Sequence, residues 1–181
     1  MRRRLPWILA ALLVLVVGGA IALVVVEKPT LDDARDAVDA GWEPLQEPLV
    51  ARYEHLGTAL AALDAAGGGD RSVAQDLTRE LAAWKKAVAK GGVGTQTEVA
   101  NRLEGQATRL RANVRVSPRL AGVGALRSAV DAFEGSAPPQ DLVRAYNRAV
   151  RAYEDDRNDS LRKPVARFFG YDARPLLVIR Q

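Results

Sequence analysis

Hydrophobic positions along this chain change their period once, near residue 26. From Leu5 to Val26 they form the run LPWILAALLVLVVGGAIALVVV, 22 residues without a charged side chain. As an α-helix rising 1.5 Å per residue, such a run is roughly 33 Å long, enough to cross a hydrocarbon core of about 30 Å. Trp7 stands near one end, where an amphipathic ring favours the interface. Gly18 and Gly19 are tolerated in a span, because lipid does not compete for backbone hydrogen bonds. The alternative is a cleaved signal peptide, since Ala20-Ile21-Ala22 has the small-x-small form. That cut would fall inside the apolar run, so the expectation is an uncleaved signal-anchor.

Beyond the run the large apolar residues recur at helical spacing. Leu31, Val38, Trp42, Leu45, Leu49, Tyr53, Leu56, Leu60 and Leu63 share one face, and glycines 67–69 end the segment. Thr30 with Asp33 resembles a capping box that opens this helix. Pro44 and Pro48 predict a kink or two consecutive helices. A second helix over 72–90 carries Val73, Leu77, Leu81, Trp84 and Val88, and glycines 91, 92 and 94 break it. Thr95 with Glu98 signals the next helix, bearing Val99, Leu103, Leu110 and Val114. Ser117-Pro118 restarts the chain for Leu120, Leu126, Val130 and Phe133, with Gly135 as terminus. After Pro138-Pro139, Leu142, Tyr146, Ala149 and Tyr153 form one stripe, and Ser160 caps a short helix ending at Phe168, Phe169 and Gly170. The only β-patterned stretch, 176–179, is too isolated to build a sheet. The predicted fold class is all-α: a transmembrane helix over 5–26, then an antiparallel bundle of about four to five helices over 27–181, with coiled-coil-like packing.

Charge sharpens this division. The chain has 26 basic and 22 acidic residues, and Arg2, Arg3 and Arg4 precede the apolar run. Setting those three aside leaves 23 bases against 22 acids, so residues 27–181 carry only +1 and the basic excess is a topology signal. Nucleic acid is not an expected partner of such a nearly neutral domain. With Glu27, Asp32, Asp33, Asp36 and Asp39 following the span, the expected location is the cell membrane, single-pass. Residues 1–4 form a cytoplasmic tip and 27–181 an extracytoplasmic domain. The chain has no cysteine and one histidine, His55, which removes disulfides, thiolate sites and histidine clusters from consideration.

The C-terminal part has a distinctive cadence: Ala145-Tyr146-Asn147-Arg148-Ala149-Val150, Tyr153, then 165–171 reading VARFFGY, then Arg174-Pro175. It resembles the LemA family of bacterial membrane proteins, in which an N-terminal membrane helix precedes a bundle of long helices. Looser matches are the Val38-to-Trp42 step, Arg52-Tyr53 where the family has paired arginines, and Pro118-Arg119-Leu120. Glu154 departs from the asparagine of the family's second Tyr-Asn pair, Ala51 from one arginine, and 135–139 interrupts what is usually one helix. The resemblance implies the anchor-plus-bundle architecture and supplies no catalytic residues.

Candidate chemistry is sparse. His55 lacks a partner for general-base work. Asp32, Asp36 and Asp39 share a face that divalent cations can bridge, but early carboxylates also suit the helix dipole. Residues 154–159 lack the glycine and terminal glutamate of a calcium loop, and no Gly-Lys-Ser/Thr follows either glycine run. Arg109, Arg111, Arg115 and Arg119 form a basic patch that reads as a solvated face. Tyr146, Asn147 and Tyr153 read as packing positions, with Asn147 placed to hydrogen-bond across helices. No catalytic, cofactor-binding or metal-binding residue is assigned, and no cofactor.

The expected function is therefore non-enzymatic: a membrane-anchored interaction or scaffolding module at the cell envelope. It contacts lipid through 5–26 and binds other envelope or membrane proteins, with oligomerisation open. The alternative is an extracytoplasmic ligand- or peptide-sensing bundle working through a separate signalling partner. Orientation has a direct check in a chain without native cysteines. Arg3→Cys and Gly135→Cys variants in intact cells should differ, with an impermeant thiol reagent labelling only the second; labelling of the first alone reverses the topology.

Overall fold

The computed structural model describes residues 5–180, with side chains from Leu12 onward except those of Val16 and Ala20. Arg2–Arg4 lie outside the described residues, as does the side chain of Trp7. Helix is the only regular structure of the described residues: α1 Leu5–Leu63 with a π-helical turn at Asp64–Gly68, α2 Ser72–Lys90, α3 Val93–Val116, α4 Pro118–Ala121, α5 Gly124–Gly135, α6 Gln140–Asn158 and α7 Lys163–Phe169. Within α1 an apolar window has mean hydropathy 2.2 and is not covered by protein, so one helix is long and apolar enough to cross a membrane.

The single helix α1 corrects the expected cap at Thr30 and, of the kink or two helices expected at Pro44 and Pro48, excludes the two helices. Thr30 lies inside it rather than capping a new helix, and Pro29, Pro44 and Pro48 are interior. A proline removes the hydrogen bond to the carbonyl one turn back. Here Pro44 leaves the carbonyl of Ala40 free and Pro48 that of Pro44, and both residues are exposed to water. The opposite face, Leu31, Val38, Trp42, Leu45, Leu49, Tyr53, Leu56 and Leu63, is buried to 2% exposure or less. Its unbroken phase keeps the helix together across the prolines. Ala59 takes the buried place expected for Leu60, which is only half-buried.

Four columns pack antiparallel around this face. α1 runs away from the apolar segment and α2 returns, with α2 lying on α3. α3 rises beside α1, as bonds from residues 42, 52 and 53 to residues 96, 104 and 100 show. α5 and α6 descend together as the fourth column, both packed on α1. At the far turn Gly67 has a left-handed φ of 69°, which a side chain would strain, and Arg119 donates to the Ala66 and Gly67 carbonyls there, each at 2.9 Å. α6 crosses α1 with the Tyr146 backbone against Gly41, where a Cβ would sit 3.4 Å from the Tyr146 Cα, in ordinary contact.

Other expectations shift by a residue or a partner. Thr95 does not cap α3, which starts at Val93 after Gly92 without a side-chain cap. On α6 the buried stripe is Val143, Tyr146, Val150 and Tyr153, with Leu142 and Ala149 half-buried. Val88 is 44% exposed and Ala87 buried in its stead. Ser117 precedes Pro118 without a capping bond. Ser160 does not cap α7, which starts at Lys163, but Gly170 closes it in the left-handed conformation as its position suggests. Residues 176–179 form no strand; they belong to an extended segment that follows α7.

Candidate functional site

Two linked features stand out where α1, α3, α5 and α6 meet. The first is a buried charge pair. Arg52 and Glu104 are 1% and 0% exposed. The Arg52 Nε and Nη2 donate to the two Glu104 carboxylate oxygens at 2.7 and 3.0 Å, a fork-to-fork contact. Arg52 Nη1 donates to the Phe133 carbonyl at 2.8 Å, and its guanidinium lies 3.9 Å from the centre of the Phe133 ring. α5 ends at Gly135, so no residue 137 N–H takes that carbonyl in the helical pattern; the Ser136 N–H and hydroxyl share it with Arg52, donating at 3.2 and 2.7 Å. The Tyr53 hydroxyl completes the arrangement beside the Ala100 carbonyl and Glu104.

The second feature is the course of the last ten described residues. After Gly170 the chain turns back and runs extended up the groove between α3 and α6, held by side chains that bond its backbone. Tyr153 donates to the Asp172 carbonyl at 2.8 Å, Glu154 accepts the Arg174 N–H at 2.7 Å, and Tyr146 donates to the Pro175 carbonyl at 3.1 Å. Asn147 pairs with both polar groups of Leu177, donating at 2.9 Å and accepting at 2.8 Å. Asn101 brackets the same residue, donating to the Leu176 carbonyl and accepting the Val178 N–H, each at 2.8 Å. At the top, Arg111 donates to the Arg180 carbonyl while Glu104 accepts the Arg180 N–H at 3.2 Å, so the strap ends on the buried pair. Tyr171 and Leu177 sink their side chains into the core, and Ile179 packs half-buried against it. Such a groove recognises an extended main chain in one register, by its N–H and C=O groups more than by its side chains.

The sequence candidates fall into place around this groove. Asn147 bonds across elements, but to the terminal segment and not to a helix. Tyr146 and Tyr153 are fully buried, and the Tyr146 hydroxyl also lies 2.9 Å from that of Thr97. Asp32 and Asp39 serve the same segment: the Tyr171 hydroxyl donates to Asp32 at 2.6 Å, and Arg174 lies 3.6 Å from Asp39. Hydrogen bonds from Lys28 and Tyr171 hold the Asp32 carboxyl below the usual carboxylate range. No group of three His, Asp or Glu side chains converges on one point among the described residues. His55 is exposed on α1. The basic patch is dispersed: Arg109 pairs with Asp76, Arg111 with Glu134 and Arg180, and Arg119 with the far turn, while Arg115 is exposed.

Residues 154–159 are a helix end whose Glu154 pairs with Arg157 and grips Arg174, and whose Asp156 pairs with Arg162. On the opposite flank a cleft of about 440 Å³ opens between α1 and α2, lined mainly by Val50, Tyr53, Leu81, Trp84 and Val88. Sequence reasoning missed Arg52 and Glu104 as a pair. Their phase carried the signal, since Arg52 lies between Leu49 and Leu56 and Glu104 between Ala100 and Ala107, all buried. No family model, curated protein or solved structure matches the chain.

Removing one member of a buried pair strands the other charge, at a cost of about 3–5 kcal/mol. Arg52→Met should lower stability by that amount in denaturant unfolding, and adding Glu104→Leu should restore more than half of it. A double variant no more stable than the single would show that the stranded charge is not the cause. All four tyrosines of the chain, Tyr53, Tyr146, Tyr153 and Tyr171, have hydroxyls pushed above their ordinary pKa, chiefly by burial, and Tyr53 well above it. The folded chain thus keeps protons that the unfolded chain releases from about pH 10, so this stabilisation is intact below that pH and lost as pH rises through the folded values. Tyrosinate absorbance and loss of helical circular dichroism should rise together above about pH 10; complete ionisation with the helices intact would contradict it.

Proposed function

We propose that the chain is a non-enzymatic, single-pass membrane protein that holds a helical bundle outside the cytoplasm as an interaction or scaffolding module of the cell envelope. The observation that carries this reading is the continuity of α1. One helix contains both the apolar window and the buried face around which the other columns pack. From Glu27 to Leu63 it spans roughly 55 Å at 1.5 Å per residue. A partner docked on the bundle would thus be presented at a set height and orientation above the bilayer, which suits a scaffold better than a flexible tether would. The acidic flank after the span, with Arg2–Arg4 before it, supports the cytoplasmic N-terminus.

The resemblance to the LemA family supports the same architecture. Glu154, the departure from the second Tyr-Asn pair, accepts the backbone N–H of Arg174 as Asn147 accepts that of Leu177, without a counterpart to the bond that Asn147 also donates. A second reading, ligand or peptide sensing through a separate signalling protein, draws support from the α1–α2 cleft, whose charged lining residues are Glu54 and Lys85.

Crosslinking in native membranes followed by affinity purification tests the leading reading. The expected result is one or a few membrane or envelope proteins recovered reproducibly, crosslinked through the surfaces of α2, α3 or α6. A chain recovered monomeric and alone across crosslinker lengths would overturn it.

A further inference from the structure

The short helix α7 lies where the apolar segment meets the bundle. Its Pro164, Val165 and Phe168 line an almost wholly apolar groove with Ile21, Leu23, Val24 and Val25 of α1. Val165 and Ala166 are buried, yet Phe168 is 83% exposed, and Leu161 and Phe169 are exposed beside it. Elsewhere beyond the uncharged run the exposed large apolar residues are aliphatic, such as Val88 and Val116, whereas here two aromatic rings and a leucine lie together beside an apolar groove, and such a cluster indicates a partner.

Height identifies the partner. Ile21 to Val26 is the last stretch of the uncharged run, and it spans roughly 7.5 Å along the helix. An amphipathic helix lying on a membrane buries its apolar face about 5–10 Å deep, so Phe168 stands at the depth such a face occupies. Charge agrees: residues 160–169 hold three bases and no acid. Arg162 is neutralised by Glu27 and Asp156, whereas no described ion pair engages Lys163 or Arg167. Lys28 sits close by, 5.7 Å from the Phe169 ring centre.

We infer that α7 is a membrane-surface seat: Phe168, Phe169 and Leu161 enter the boundary between headgroups and acyl chains of the bilayer that α1 crosses, and Lys163 and Arg167 face anionic lipid phosphates. This rests on the reading of residues 5–26 as a membrane span. It assigns to the C-terminal part of the chain a lipid contact separate from the span itself. Because α7 leads directly into the strapped segment, the seat fixes the rotation of the bundle about α1 as well as its height.

The test uses the full chain in vesicles of phosphatidylcholine, with and without phosphatidylglycerol. Phe168→Cys, Asp70→Cys and Val14→Cys variants each carry one environment-sensitive fluorophore; the first two sites are exposed, so labelling leaves the core untouched. The Phe168 label should be blue-shifted and quenched several-fold more by nitroxide lipids than the Asp70 label at the far end of the bundle. Lys163→Glu with Arg167→Glu should reduce that quenching in the phosphatidylglycerol vesicles and leave it unchanged in phosphatidylcholine alone. A Phe168 label that behaves like the Asp70 label, while the Val14 label is quenched by lipid, overturns the seat and leaves the span standing. Loss of quenching at Val14 as well overturns the span. Protection at Phe168 that grows with the protein-to-lipid ratio would place a second copy of the chain there and also overturn the proposal.

Discussion

The Arg52–Glu104 pair is the constraint on which the arrangement of the bundle turns. Taking two charges out of water costs several kcal/mol each, and that cost is met only when every donor and acceptor finds a partner. The partners here come from four separate parts of the chain: Arg52 from α1, Glu104 from α3, the Phe133 carbonyl from the end of α5, and the Arg180 N–H from the terminal segment. Apolar packing alone tolerates a helix sliding by a turn, because leucines and valines are nearly interchangeable. A fork-to-fork pair does not slide. It selects one register of α3 on α1, requires α5 to stop where the Phe133 carbonyl can accept from Arg52 beside its Ser136 cap, and draws the terminal segment to its full height. The break at 135–139 is thus an acceptor supplied to Arg52.

Much of this architecture was legible from periodicity. The buried faces of α1, α3 and α5 fall almost residue for residue where steps of three and four place them, because those faces meet a core and burial is what periodicity reports. What failed was local punctuation. Thr30, Thr95 and Ser160 have the chemistry of helix caps, yet none caps a helix, and Pro44 and Pro48 do not end one. Capping is worth about 1 kcal/mol and an interior proline costs about 3 kcal/mol. A continuous face from Leu31 to Leu63, with Trp42 and Tyr53 on it, outweighs both. The terminal groove was illegible for another reason. Its bonds run from side chains to backbone carbonyls and N–H groups, and backbone groups leave no trace in a sequence. Asn101 gave no signal as one of an opposed pair of tail-binding asparagines, because its partner groups lie 75 and 77 residues away.

The C-terminal thirty residues combine two kinds of attachment that solve different problems. Extended backbone laid on a helical bundle has no neighbouring strand, so each of its polar groups must find a side chain or water. Tyr146, Asn147, Tyr153 and Glu154 supply those partners from two places a heptad apart on α6, with Asn101 facing them from α3. The aromatic rings do double duty. The Tyr146 ring packs edge-on against Trp42 at 5.2 Å inside the core, while its hydroxyl reaches the groove. Core packing and strap are therefore not independent: a shift of α6 on α1 would move the hydroxyl and release the strap.

That coupling extends toward the apolar segment. Tyr171 is anchored to Asp32 and the preceding helix is pinned to Glu27 through Arg162, so both ends of α7 are tied to the first charged turns of α1 beyond the uncharged run. A flexible linker at residue 27 would have decoupled such contacts from whatever happens in the apolar segment. An uninterrupted helix does the opposite: rotation of residues 5–26 about the helix axis is passed to the Leu31–Leu63 face with little loss, since a helix bends far more easily than it twists out of phase with its own hydrogen bonds. The prolines belong to this argument. Pro44 faces water and Pro48 is half-buried, each leaving an exposed residue's carbonyl unbonded by the helix. Removing hydrogen bonds on one side softens α1 toward bending in that direction only, and the packed side keeps its length and register. The chain thus joins its apolar segment to its core by a stiff rod with a defined soft direction, and the strap and α7 brace that rod at its base.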